Sequence, residues 1–195
     1  HDEEWGVPLH DDKKLFEFIT LEGFQAGLSW LTILKKRENF RKAFDEFDPQ
    51  KVAAYGPDEI ERLMNDAGII RNRKKIEAAL NNAQAFLTVQ KEFGSFDAYM
   101  WGFMDGERPH INHFPDMADV PAHTPLAQKI SNDLKKRGFK FVGPTVVYSH
   151  MTSHCVDTPK LVPSVYQCTV SPITPIATHH AHPTYTGCHA RPQHT

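Results

Sequence analysis

An all-α fold is what this sequence predicts: a helical bundle followed by an irregular C-terminal tail. Three observations carry the prediction. Apolar residues recur at helical spacing, most clearly from Asn72 to Lys91, where Ile76, Ala79, Leu80, Ala83, Phe86 and Leu87 line one face. Helix-starting residues precede most such stretches, among them Asp11, Ser29, and Asp48 ahead of Pro49. No segment shows the period-two alternation of a half-buried strand.

Taken in order, Asp11–Asp12 caps a first helix that ends near Gly23 or Gly27. Ser29 caps a second, from Trp30 to about Phe44, and Asp48-Pro49 starts a short third. Asp58 to Asp66 is another short helix, turning Ile60, Leu63 and Met64 inward. The long Asn72–Lys91 helix follows, then an aromatic one from Phe96 to Phe103. Asp105 to Pro125 holds four prolines and reads as a surface connection. A helix through Ile130 and Leu134, a basic turn, and an apolar helix after Pro144 complete the domain, residues 1–153. From about residue 154 the composition changes. Val156–Thr195 has six prolines, seven threonines, five histidines and a single acid, Asp157, so residues 154–195 are expected to be irregular or disordered. His179, His180, His182, Cys188 and His189 lack zinc-finger spacing and carry no metal assignment.

The formal charge of −2 predicts no global attraction to nucleic acid. Basic residues nonetheless gather at Lys35, Lys36, Arg37 and Arg41, at Arg71, Arg73, Lys74 and Lys75, and at Lys135, Lys136, Arg137 and Lys140. Each cluster is either a solvated helix face or part of a phosphate track. Cys155, Cys168 and Cys188 make no disulfide framework, which points to a reducing, cytoplasmic setting. No apolar run reaches the length of a membrane span and no leader opens the chain, so no membrane partner is expected.

Three motifs could carry chemistry. In LEGFQAGLSW (Leu21–Trp30), helical spacing sets Glu22 on one face with Leu15, Phe18, Ile19 and Ala26. A carboxylate placed so is held either by a buried partner or by a ligand in a pocket, and spacing leaves both open. In LMNDAGIIRNRKKI (Leu63–Ile76), two helices meet at a turn centred on Gly68. Gly68 permits a positive φ there, and outward-pointing backbone N–H groups at the next helix start would suit a phosphate. This is a helix-hairpin-helix arrangement, or else a plain helical hairpin with a basic rim. Trp5 and Trp30 are either core residues or two rings that sandwich an extruded base. Leu28, between Gly27 and Ser29, is either core or a wedge that fills the gap left in the stack.

The stretches HDEEWGVP (His1–Pro8), LEGFQAGLSWLTILKKRENFRKAF (Leu21–Phe44), AGIIRNRKKI (Ala67–Ile76) and LKKRGFKFVGPT (Leu134–Thr145) resemble bacterial DNA-3-methyladenine glycosylase I. This family is an all-helical member of the helix-hairpin-helix glycosylase superfamily. The resemblance runs in order from His1 to about Met151, roughly three-quarters of the chain. It implies a monofunctional repair enzyme that extrudes 3-methyladenine from double-stranded alkylated DNA and hydrolyses its N-glycosidic bond, acting as a monomer and releasing the free base. It matches Glu22 to the acid that grips the base, Trp30 and Trp5 to pocket aromatics, and Leu28 to the plug of the vacated stack. Gly68, Ile69, Ile70 and Arg71 match the phosphate-binding hairpin. The rival readings are a non-catalytic helix-hairpin-helix DNA-binding module and an inactive, truncated family member.

The resemblance also implies a structural zinc, with no cofactor for catalysis. His1 matches one zinc ligand, a second belongs to a lead-in expected before His1, and the last two fall on Lys160 and Ser164, which are not zinc ligands. Zinc binding is therefore doubtful in this chain.

Overall fold

In the computed structural model, the residues described are 9–103, 110–114, 121–153, 157–161, 166–167 and 189–190. Nine α-helices occur among them: α1 (Asp12–Gln25), α2 (Trp30–Leu34), α3 (Arg37–Ala43), α4 (Pro49–Ala53), α5 (Pro57–Asn65), α6 (Arg73–Phe93), α7 (Phe96–Trp101), α8 (Pro125–Lys136) and α9 (Pro144–Ser153). The chain is helical, as its periodicity predicts. Two short ladders add to this. β1 (His110–Phe114) pairs in parallel with β2 (Asp157–Leu161), and β3 (Tyr166–Gln167) pairs antiparallel with β4 (His189–Ala190). The expected surface connection thus contributes one strand and the expected irregular tail three, held by main-chain bonds that require no alternating side-chain pattern.

The hub is α1. Nine of its fourteen residues are buried, and it packs against α2, α6, α7 and α9. A helix enclosed on most sides needs apolar residues all round, and Leu15, Phe16, Phe18, Ile19, Leu21 and Phe24 supply them. Around it runs an aromatic core. Phe86 stacks on Phe96 with centroids 4.3 Å apart and meets Phe16 edge-on at 5.2 Å, while Phe24 meets Phe40 at 4.8 Å.

Side-chain caps set the helix ends. Asp11 accepts from the Lys14 N–H, Ser29 from Thr32, Asp48 from Gln50 and Lys51, and Asn72 from Lys75. Asp12 reaches across to α7, where its carboxylate accepts the N–H groups of Phe96 and Asp97 at 2.8 and 2.9 Å; an anion is favoured at that helix start. The predicted long helix from Trp30 breaks at Lys35–Lys36 into α2 and α3. The break lets the Lys36 ammonium reach the main-chain oxygens of Ala67 and Gly68 at 3.0 and 3.2 Å. In α5, Leu63 is buried, whereas Ile60 and Met64 are only partly buried against the core.

The first basic cluster is therefore largely internal. Arg37 and Arg41 donate to the buried Glu17 carboxylate at 2.6 and 2.9 Å, tying α3 to α1. The third is divided: Arg137 pairs with Glu92 and Asp133, while Lys135, Lys136 and Lys140 are exposed.

Candidate active site

Glu22 on α1 is 1% exposed, and His150 from α9 lies beside it, 2% exposed, with its Nδ1 3.0 Å from Glu22 Oε2. Burial pushes the imidazole down to about 3, so His150 is neutral at physiological pH. A neutral imidazole bonds an ionised carboxylate only through an N–H, so with Glu22 ionised the His150 proton sits on Nδ1. Such a partner fixes the carboxyl's position and brings no charge of its own. Of the two readings open for Glu22, a buried partner is present, and that partner is not a guanidinium.

The segment after Glu22 is built to project. At the end of α1, Gly27 takes φ 81°, and the Leu28 N–H donates to the Gln25 carbonyl while Gln25 Nε2 donates back to the Leu28 carbonyl. Leu28 is left 38% exposed at the tip of this turn, where a core leucine would not be. Ser29 then starts α2, whose first residue, Trp30, is partly buried against the core where α2 packs on α1.

The hairpin is formed by α5 and α6. Gly68 does not use the positive φ that a glycine permits. What it requires is space, because a Cβ there would lie 2.9 Å from Asp66 Oδ1 and 3.1 Å from Asn39 Cβ. Its N–H already donates to Asp66 Oδ1 at 2.7 Å. Ile69 is buried and Ile70 partly so, which leaves the main chain as the outward face of the turn. Among the described residues no acceptor meets the N–H groups of Ile70 and Arg71, and the Arg71 side chain is exposed. Arg73 pairs with Glu61 at 2.5 Å.

Lys75, read from sequence as part of the basic rim, is buried instead. Its ammonium donates to the carbonyls of Phe24 and Ala26 at 2.7 and 2.6 Å, satisfying the open C-terminal end of α1. Burial lowers its pKa. The hairpin is thereby tied to the turn that carries Leu28. Neither this tie nor His150 was found by sequence reasoning. For His150, the available signal was a histidine amid the valines, tyrosine and methionine of the helix after Pro144; for Lys75, spacing offered none.

A sequence profile of the methyladenine glycosylase family matches residues 1–162. DNA-3-methyladenine glycosylase 1 of Escherichia coli is 51% identical over 151 residues, 77% of this chain and 80% of that protein. DNA-3-methyladenine glycosylase of Haemophilus influenzae is 47% identical over 153 residues, 78% of this chain and 82% of that protein. Superposition on 3-methyladenine DNA glycosylase I of Staphylococcus aureus, solved to show recognition of 3-methyladenine, gives a TM-score of 0.77. The two are 41% identical, with 80% of this chain and 83% of the other covered. This chain belongs to the methyladenine glycosylase family.

Glu22, Leu28, Trp30, the 68–71 turn and His150 all lie inside the part of the chain that the methyladenine glycosylase profile matches. Trp5 and His1 lie outside the described residues. At the positions where the family's zinc would find two further ligands, the donor set does not fit. Lys160 falls in β2 and carries an ammonium with no lone pair to give, and Ser164 lies outside the described residues. Among the described residues no three His, Cys, Asp or Glu side chains gather to hold a metal, and no helix is long and apolar enough to cross a membrane.

Proposed function

We propose that this chain is a monofunctional DNA glycosylase that extrudes 3-methyladenine from double-stranded alkylated DNA and hydrolyses its N-glycosidic bond. The observation that carries the reading is the buried Glu22 carboxylate, on the helix that leads into the projecting Leu28 turn and held by a neutral His150.

Methylation at N3 makes the adenine a cation and weakens its bond to the sugar. The protein's part is then to seat the extruded base and to favour its charge where the bond breaks. An ionised Glu22 attracts the cation and accepts a hydrogen bond from the adenine edge, in surroundings where such interactions are stronger than in water. Trp30, with Trp5, offers aromatic faces to the cationic ring. As the C1′–N9 bond breaks, its electron pair leaves with the base, which departs as neutral 3-methyladenine. Water adds to the oxocarbenium-like C1′ and gives up its proton to solvent. Leu28 enters the stack that the base vacated. The N–H groups of Ile70 and Arg71 receive a backbone phosphate, with the Arg71 side chain beside it.

The reading takes the enzyme to be a monomer in a reducing, cytoplasmic compartment. No step uses a metal, and the chain is taken to do without the family's structural zinc because its donor set does not match.

The test is release of free 3-methyladenine from methylated duplex DNA by the wild type and by Glu22→Gln. Release by the wild type, reduced about a hundredfold or more in the variant, supports the reading. Equal release by both removes Glu22 from the site, and duplex binding without release would make the protein a DNA-binding module.

A further inference from the structure

An open concavity of about 480 Å³ lies on the outer face of α6, lined by Lys74, Glu77, Ala78, Asn81, Lys140 and Phe141. It is a different feature from the Glu22 site, and nothing in the reading above uses it. It begins in the first turn of α6, directly after the hairpin, and its far wall is the 138–142 turn.

That turn is held by more bonds than a surface turn needs. Asn82, itself buried, accepts from the Lys140 N–H at 2.7 Å and donates to the Lys140 carbonyl at 2.9 Å. Asn81 donates to the Gly138 carbonyl at 2.6 Å, and Ser131 to the Val142 carbonyl at 2.7 Å. These bonds hold Phe141 at φ 55°, and the residue is 40% exposed. A left-handed aromatic residue is strained, and a large apolar ring facing solvent gains little from folding. Two cationic side chains flank it. Among the described residues neither Lys74 nor Lys140 is ion-paired, and Glu77 is the one acid of the lining.

We propose that this groove carries one strand of the duplex, with phosphates over Lys74 and Lys140 and the face of a base or deoxyribose laid on Phe141. The occupant follows from the residues. Paired ammoniums at the rim suit a polyanion, an exposed ring suits a flat apolar face, and the groove continues from the phosphate-receiving turn. Gly23, the residue after Glu22, backs onto this wall; a Cβ built there would sit 3.7 Å from Phe141 Cβ. A strand lying in the groove thus passes close to the helix that carries the acid. The inference rests on the glycosylase reading and extends it from one phosphate contact to a track.

The test is fluorescence anisotropy with a short labelled duplex containing a tetrahydrofuran abasic site, over a range of KCl concentrations, alongside thermal melts. Phe141→Gly suits the left-handed backbone, so it is expected to melt within a few degrees of the wild type while Kd rises about tenfold. Phe141→Trp keeps a ring and is expected to bind as the wild type does. The double variant Lys74→Ala, Lys140→Ala should lower the slope of log K against log salt by about two phosphate contacts. Unchanged Kd in Phe141→Gly together with an unchanged salt slope in the double variant overturns the proposal. So does weaker binding accompanied by a large loss of melting temperature in Phe141→Gly, which would assign the ring to the fold. Base release is measured separately: release with unaltered variant binding defeats the groove alone, and weakened variant binding without release defeats the enzyme reading alone.

Discussion

Replacing His150 with asparagine separates its hydrogen bond from its titration. An asparagine amide nitrogen can stand close to where Nδ1 stands and still donate to Glu22, but it takes up no proton between pH 8 and pH 3. Burial holds the folded imidazole down to about 3, against an ordinary value of 6.5. As pH falls below 6.5, the unfolded chain binds a proton at this residue and the folded chain does not. Stability is therefore complete above 6.5 and is lost toward 3, by about 1.4 kcal/mol for each pH unit. The whole span amounts to about 5 kcal/mol as a ceiling, which the Glu22 carboxylate 3.0 Å away lowers wherever it is ionised. Urea unfolding from about pH 8 down to about pH 4 reads the difference. By pH 4 the wild type should have lost up to roughly 3 kcal/mol more than His150→Asn. Parallel acid limbs would refute the reasoning, because they would mean that His150 is charged in the folded protein and forms a buried ion pair with Glu22.

Lys75→Met removes two short charge-assisted bonds from the end of α1 and leaves two carbonyls to find other donors. A loss of about 2–4 kcal/mol in urea unfolding is expected, with base release falling as the Leu28 turn loosens. Leu28→Ala acts on an exposed side chain and should change stability by about 0.5 kcal/mol or less, yet slow base release from duplex DNA about tenfold; an unchanged single-turnover rate would remove the wedge role. Gly68→Ala should cost about 1–3 kcal/mol because its Cβ meets Asp66 and Asn39, and a melting temperature equal to the wild type would show that the close approach is easily relieved.

The helical class and most helix starts were legible because periodicity and capping are local. Asp11, Ser29, Asp48 and Asn72 all cap where the sequence places them. The break between α2 and α3 was not legible, since it is stabilised by Lys36 bonding carbonyls more than thirty residues away. The basic clusters misled for the same reason. Spacing puts Lys75 beside Lys74 and cannot say that one ammonium is in solvent and the other under the end of α1. Glu22 was legible as a buried acid, but its partner was not, because His150 lies 128 residues further on in a helix that never repeats its pattern. Gly68 was legible as a turn glycine that permits a left-handed backbone, but not as a close-packed one: what excludes a side chain is contact with Asp66 in the turn and with Asn39 from another helix.

The long-range polar bonds around α1 share a direction. His150 fixes Glu22 from α9, Lys75 fixes the end of α1 from α6, and Lys36 fixes the hairpin from the α2–α3 junction. Each is a buried or partly buried cation or donor reaching a group on another element, and together they join the acid, the Leu28 turn and the 68–71 turn into one connected unit. A substrate base that already carries a positive charge asks little of the protein by way of proton transfer. What limits such a reaction is holding the extruded base, the gap it left and the flanking phosphate in fixed relation, where small displacements are costly. On this argument, a substitution that loosens any one tie should weaken base release even where it touches no substrate, and loosening two ties should cost less than the sum of the separate losses, because the unit they maintain is lost once.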